Sequence, residues 1–192
     1  MSSGLRERKK AQTRQDISYA ALRLFAERGY DAVTVPEIAE QANVSPATFF
    51  RYFATKGSAV VGIAPDLIGR LQETLANRPA NATTLEVAHE FWLGVGELVE
   101  ADPDVFHAQQ ELTDRYPALA AERVRVVESL RRTVAASLGE ESPRRPAAQV
   151  ELISFAVVGA VLTAQRLWHE QGGDVREIFT DCWRYVERIA VP

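Results

Sequence analysis

Apolar and polar positions along the chain read as a succession of helices, with no convincing series of strands. The spacing predicts an all-α protein. Thr34 with Glu37 forms a capping box at the start of one short helix, with Pro36 in its first turn. Ile38 and Ala39 supply that helix's apolar face, and Asn43 marks a turn. Ser45 caps a second short helix with Pro46 at its first position. Lys56 to Asn77 reads as helical, kinked or split at Pro65. A second capping box, Thr83 with Glu86, opens a helix to about Ala101. Asp102-Pro103 starts a short helix to about Thr113, and Tyr116-Pro117 a longer one that stops at Leu138-Gly139. Glu140–Pro146 is then a loop. From about Pro146 to Gln171 the chain is apolar nearly all round, Gly172-Gly173 ends it, and Asp174 with Glu177 caps a final helix to Ala190.

Helix, tight turn, helix is the geometry that lays a second helix in the major groove of DNA. In TVPEIAEQANVSPATFFRYFATK, Phe49 and Phe53 are four apart and share the face expected to anchor that helix, with Val44 joining them. Pro46, Ala47, Thr48, Phe50 and Arg51 fall on other faces and towards its N-terminus. Pro46 and Ala47 are small enough for close approach to a thymine methyl, while Arg51 suits a guanine or a phosphate. Thr48 and Tyr52 bring hydroxyls for phosphate oxygens, and Lys56 falls where the next helix is expected to begin. Thr34, Ser45, Pro46, Ala47, Thr48, Phe50, Arg51, Tyr52 and Lys56 are the expected DNA-facing set.

Charge supports the same reading. The chain has 192 residues and a formal charge of −4. Its first 56 residues, however, hold nine Lys or Arg against six Asp or Glu, and the remainder thirteen against twenty. A positive head on an acidic body is the electrostatic footprint of DNA contact. Arg6, Arg8, Lys9, Lys10 and Arg14 read as a partly disordered arm leading into the first helix, or as a solvated charge run.

The last two helices carry more apolar surface than 192 residues can readily cover, and are expected to pair with their copies in a homodimer. The most apolar run, Leu152–Leu162, is too short to span a bilayer. No apolar signal core follows MSSGLRERKK, so no membrane association and a cytoplasmic location are expected. A single cysteine, Cys182, excludes an intramolecular disulfide and reads as an ordinary helix residue rather than a redox sensor. There is no phosphate loop, nucleophile elbow or zinc spacing, and so no enzyme or cofactor is expected. Glu86-x-x-His89 and Asp104-x-x-His107 resemble half of a di-iron ligand set, but read as helix-surface pairs with no metal; His169 reads as a surface residue.

ALRLFAERGYDAVTV (Ala21–Val35), EIAEQANVS and TFFRYFATK together resemble the N-terminal region of the TetR family of transcriptional regulators, over about the first third of the chain. Ala47 stands where that pattern commonly has Gly, Phe50 where it has Tyr, and Gly57 where an acidic residue is common. The loss of a hydroxyl at Phe50 puts a phosphate bond there in doubt, and Gly57 should slightly loosen the next helix. The resemblance implies a three-helix DNA-binding head, residues 1–55, and a ligand-binding and dimerisation body, residues 56–192. It implies a dimer on a pseudo-palindromic operator, released by a small, largely apolar effector that shifts the fourth helix. Candidate pocket residues are Phe91, Trp92, Phe106, Gln110, Val127 and Phe155. A further likeness to a subgroup that senses acyl-coenzyme A would make Arg70, Arg123 or Arg166 phosphate partners. Two other readings stay open, an architectural DNA binder without effector and a metal-dependent helical-bundle enzyme.

Overall fold

The computed structural model describes residues 2–61 and 67–190, all of the regular structure being helical. α1 spans Ser2–Arg28, α2 Val35–Gln41 and α3 Pro46–Tyr52, followed by a 3-10 turn at Gly57–Ala59. α4 is Leu67–Ala76, α5 Thr84–Ala101, α6 Pro103–Arg115, α7 Pro117–Glu141, α8 Ala147–Gln171 and α9 Val175–Ala190. The packing forms two compact units, Met1–Asp66 with Asp104–Val126, and Leu67–Pro103 with Val127–Pro192.

The first unit is organised by local signals. Both halves of the Thr34 capping box form, the Glu37 carboxylate accepting from the Thr34 amide at 2.8 Å. Asn43 takes φ +54°, a left-handed turn that its short polar side chain tolerates, and Ser45 then caps α3 through the Thr48 amide at 3.1 Å. Ile17, Phe25, Val33, Ile38, Phe49, Phe53, Val60 and Leu119 are buried together. Burying a side chain such as Phe49 is worth roughly 1.5–3 kcal/mol, so α3 is held by its apolar face and not by its seven residues' helix propensity. Gly29, at φ +82°, ends α1 and also makes room, because a Cβ there would lie 2.8 Å from the Tyr116 hydroxyl.

In the second unit α8 packs along α9, and α5 packs against α9 and α4. Ile153, Val157, Val158, Val161, Ala164 and Trp168 of α8 are buried, as are Val175, Phe179, Trp183 and Val186 of α9. The second capping box also forms, the Glu86 carboxylate accepting from the Thr83 amide at 2.7 Å. Asp174 caps α9 through the amides of Arg176 and Glu177, at 2.8 and 3.1 Å.

Several sequence expectations are corrected. Lys56 does not open an α-helix: it precedes a three-residue 3-10 turn, and α4 begins at Leu67. The expected kink at Pro65 lies outside the described residues. The basic run from Arg6 to Arg14 is no disordered arm but lies within α1. α7 continues through Gly139 to Glu141, because that glycine does not take the left-handed backbone that Gly29 takes at the end of α1. The apolar run is part of a helix of 25 residues that is long and apolar enough, by length and composition alone, to cross a membrane; its Ile153, Val157, Val158, Val161 and Ala164 are buried in the second unit.

Candidate nucleic-acid interface

α3 presents two unlike faces. Phe49 is fully buried and Phe53 nearly so, their rings 5.7 Å apart, while Pro46, Ala47, Phe50 and Arg51 are exposed. Phe50 is 57% exposed, an aromatic ring held edge-on to Phe49 at 5.5 Å with its outer side in water. The Arg51 guanidinium rests 5.3 Å from the Tyr52 ring. The hydroxyl hydrogens separate the two caps from the free donor. Ser45 Oγ accepts from the Thr48 amide and donates to Thr48 Oγ1 at 3.0 Å, so its hydrogen is committed. Thr48 Oγ1 is only an acceptor in that pair and keeps its own hydrogen to donate outward. Thr34 likewise donates to Glu37 at 2.7 Å. Hydrogen bonds from Thr34 and then Arg28 hold the Glu37 carboxyl down to about 2, against an ordinary 4.5.

Lys56 faces inward. Its ammonium donates to the carbonyls of Tyr30 at 2.6 Å and Val33 at 2.9 Å, and lies 4.2 Å from the centre of the Tyr30 ring. Burial, and then the charges of Glu122 and Asp31, push the Tyr30 phenol up. Arg14 also turns inward, donating to the Tyr52 carbonyl at 3.1 Å and stacking 4.5 Å from the Phe53 ring. A cation thus sits at the C-terminus of α3, where the helix dipole favours one. The cluster Arg6, Arg8, Lys9 and Lys10 lies on the early turns of α1, with Arg6, Arg8, Lys9 and Lys10 within its described span.

The expected pocket residues divide between the units. Phe106 and Gln110 belong to the first, where Gln110 donates to Asp114 at 2.9 Å and accepts from Arg123 at 3.2 Å. In the second, half-buried Phe91 meets Trp92 edge-on at 5.3 Å and lies 5.9 Å from the Arg70 guanidinium. Trp92 is buried and walls a cavity of about 20 Å³ with Val95, Val99, Val161 and Phe179. Among the described residues its indole Nε1 has no hydrogen-bond partner. Val127 is half-buried on α7. Phe155 points outward, 58% exposed beneath the Arg131 guanidinium at 4.9 Å. Arg166 pairs with Glu170 at 3.2 Å. Glu86 is occupied by its cap and His89 stacks on Phe179 at 5.7 Å; among the described residues no three metal-ligating side chains converge. Burial raises the Cys182 thiol, with Asp181 adding to it.

Residues 17–58 match the family described as bacterial regulatory proteins, tetR family, and residues 83–190 match the MftR C-terminal domain. The regulator TcmR of Streptomyces glaucescens is 32% identical over 86% of this chain and 77% of its own length. The chain belongs to the TetR family of transcriptional regulators. It is a DNA-binding regulator and not an enzyme. FadR of Thermus thermophilus, a TetR-family repressor solved with lauroyl-CoA, superposes with a TM-score of 0.60 at 23% identity, over 93% of this chain and 95% of that one. FadR of Bacillus subtilis, solved with stearoyl-CoA, does so with a TM-score of 0.60 at 20% identity, over 92% and 98%.

Against the TetR pattern, the glycine at residue 57 has a physical reason. A Cβ there would lie 3.1 Å from Glu122 Cγ, 3.3 Å from Leu119 Cδ2 and 3.3 Å from the Tyr30 hydroxyl. Sequence reasoning placed Arg14 in an arm, and missed Glu122 altogether. Only the basic character of Arg14 was visible; nothing local to α7 announces Glu122.

Proposed function

We propose that this TetR-family regulator is a homodimeric repressor that grips a pseudo-palindromic operator with two copies of α3 and is released by a small, largely apolar effector. The observation that carries the reading is the split of α3, whose Phe49 and Phe53 are buried while Ala47, Phe50 and Arg51 face water. An exposed aromatic beside a small residue and an arginine suits thymine methyls and guanine edges. Pro46 and Tyr52 border that surface, the Thr48 hydroxyl adds a donor, and Thr34 and Ser45 hold the two helices in place for it. Lys56 serves the same surface from behind, through its carbonyl bonds.

The dimer is supported by apolar side chains left in water on α8 and α9: Leu152, Phe155, Tyr185 and Ile189 are each at least half exposed. Two of these lie one helical turn apart on each helix, a stripe suited to an isologous contact. The effector reading is supported by the buried, unpartnered indole of Trp92 at an apolar cavity, with Phe91 adjoining. That cavity holds about one water and would have to open for a ligand. Val127 stays a candidate wall, Phe106 and Gln110 are left to the first unit, and Phe155 is reassigned to the dimer face. Acyl-CoA thioesters are the first compounds to screen, with Arg70 beside Phe91 as the candidate phosphate partner. A useful switch needs the ligand to favour the DNA-incompetent form by about 1–3 kcal/mol. The protein acts, in this reading, in the cytoplasm on chromosomal DNA.

Selection of bound duplexes from a random pool at near-physiological salt tests the proposal. Recovery of an inverted repeat is expected, and Arg51→Ala should relax discrimination at one position by about 1–3 kcal/mol. Equal affinity for all sequences would point to an architectural binder and sink the repressor.

A further inference from the structure

We propose that Glu122, far from the recognition helix in sequence, is a positioning residue for it: from α7 it sets the turn that follows α3. The inference rests on the reading of α3 as the DNA-reading element.

The turn begins two residues beyond Phe53, the C-cap of α3. Thr55 and Ser58 close it reciprocally, the Ser58 amide donating to Thr55 Oγ1 at 3.0 Å and the Thr55 amide to Ser58 Oγ at 3.2 Å. The Thr55 hydroxyl then donates to Glu122 Oε1 at 2.7 Å, while Glu122 Oε2 takes Arg125 Nη1 at 2.8 Å. The Glu122 side chain is only 13% exposed, whereas that of Arg125 is 68% exposed. A carboxylate so far out of water is costly unless its oxygens are satisfied, and here each has a donor. The methylene stem packs closely on the turn, since a Cβ on Gly57 would lie only 3.1 Å from Glu122 Cγ.

Residues 55–58 are therefore held from two sides. Lys56 ties them to the carbonyls just beyond α1, and Glu122 with Leu119 ties them to α7. α3 is only seven residues long, and its C-terminal exit is fixed by this turn and by Arg14. Losing one tie lets the helix tilt without unfolding the core around Phe49. A tilt of this kind weakens base readout, which depends on register, more than phosphate attraction, which does not.

The test is the ratio of affinities for the selected operator and for a scrambled duplex, measured alongside thermal unfolding. Glu122→Ala should lower that ratio about tenfold, the scale of a lost charge-assisted hydrogen bond. Glu122→Gln keeps an acceptor for Thr55 and the stem on Gly57, and should hold the ratio close to wild type. Gly57→Ala should lower the ratio in the wild-type background, and lower it less in Glu122→Ala, where the nearest obstruction, the Glu122 Cγ, is gone while Leu119 and Tyr30 remain. A folded Glu122→Ala protein with an unchanged ratio overturns the proposal, as does an equal Gly57→Ala effect in both backgrounds. If Glu122→Ala does not fold, Thr55→Val removes the same hydrogen bond from the exposed side, and an unchanged ratio there is equally fatal. Failure of the wild type to select any motif sinks the repressor reading and this inference together; a motif with no Glu122 effect sinks the inference alone.

Discussion

Replacing Lys56 by methionine separates a lysine that touches DNA from one that builds the head. Its ammonium makes two short bonds to backbone carbonyls, at 2.6 and 2.9 Å, and lies over an aromatic ring at 4.2 Å. Hydrogen bonds to a charged group are worth about 1.5–3 kcal/mol each, and an exposed cation–π contact about 0.5–1 kcal/mol. The site is half-buried, so water can replace part of what is lost, and the net cost should be about 2–4 kcal/mol. For a chain of this size that lowers the melting temperature by roughly 5–15 °C. Circular dichroism reads that change. The salt dependence of operator binding reads the alternative, since each phosphate contact contributes about 0.9 to the slope of log K against log salt. The slope should be unchanged in Lys56→Met at a temperature where the variant is folded. A melting temperature within about 1 °C of wild type, together with a slope reduced by about 0.9, would refute the assignment.

Gly29→Ala should cost about 1–3 kcal/mol, since it places a side chain at φ +82° and 2.8 Å from the Tyr116 hydroxyl; chemical denaturation measures it, and a neutral substitution would contradict the geometry. Phe155→Glu combined with Leu152→Glu should convert the proposed dimer to a folded monomer in sedimentation velocity, and a dimer that persists in the variant would move the interface elsewhere. The Glu37 carboxyl, at about 2 in the folded chain against 4.5 ordinarily, stabilises the head above the unfolded value. That contribution is lost as pH falls from about 4.5 towards 2. Melting temperatures of wild type and Glu37→Gln should therefore converge across that window, and a constant difference would show that the ionised cap is not responsible.

The caps and the turn at Asn43 were legible in the chain because each depends on near neighbours, whereas the helix start expected at Lys56 and the stop expected at Gly139 were not. Thr34 and Glu37, Ser45 and Thr48, Thr83 and Glu86, and the amides capped by Asp174 are all such pairs. Phe49 and Phe53 were legible for the same reason, since four residues apart on a helix is one face. The same locality gave the buried side of α3, and by subtraction its exposed side. What local spacing does not carry is which distant partner a long side chain will find. Lys56 stood where a helix start was expected, yet its ammonium went to two carbonyls just beyond α1, which the folding of the head brings within its reach. Arg14 belonged to a basic run and is engaged at the exit of α3. Phe155 sits in an apolar helix whose every face looked fit for burial, and only the packing of α8 against α9 decided which residues were left outside. Glu122 carries no signal at all in its own segment, because its meaning is a hydrogen bond and a glycine cradle reached across 65 or more residues. Short-range hydrogen bonding and helical period decided the elements; the closing of long-range contacts, which a linear pattern does not encode, decided what each charged side chain holds in place.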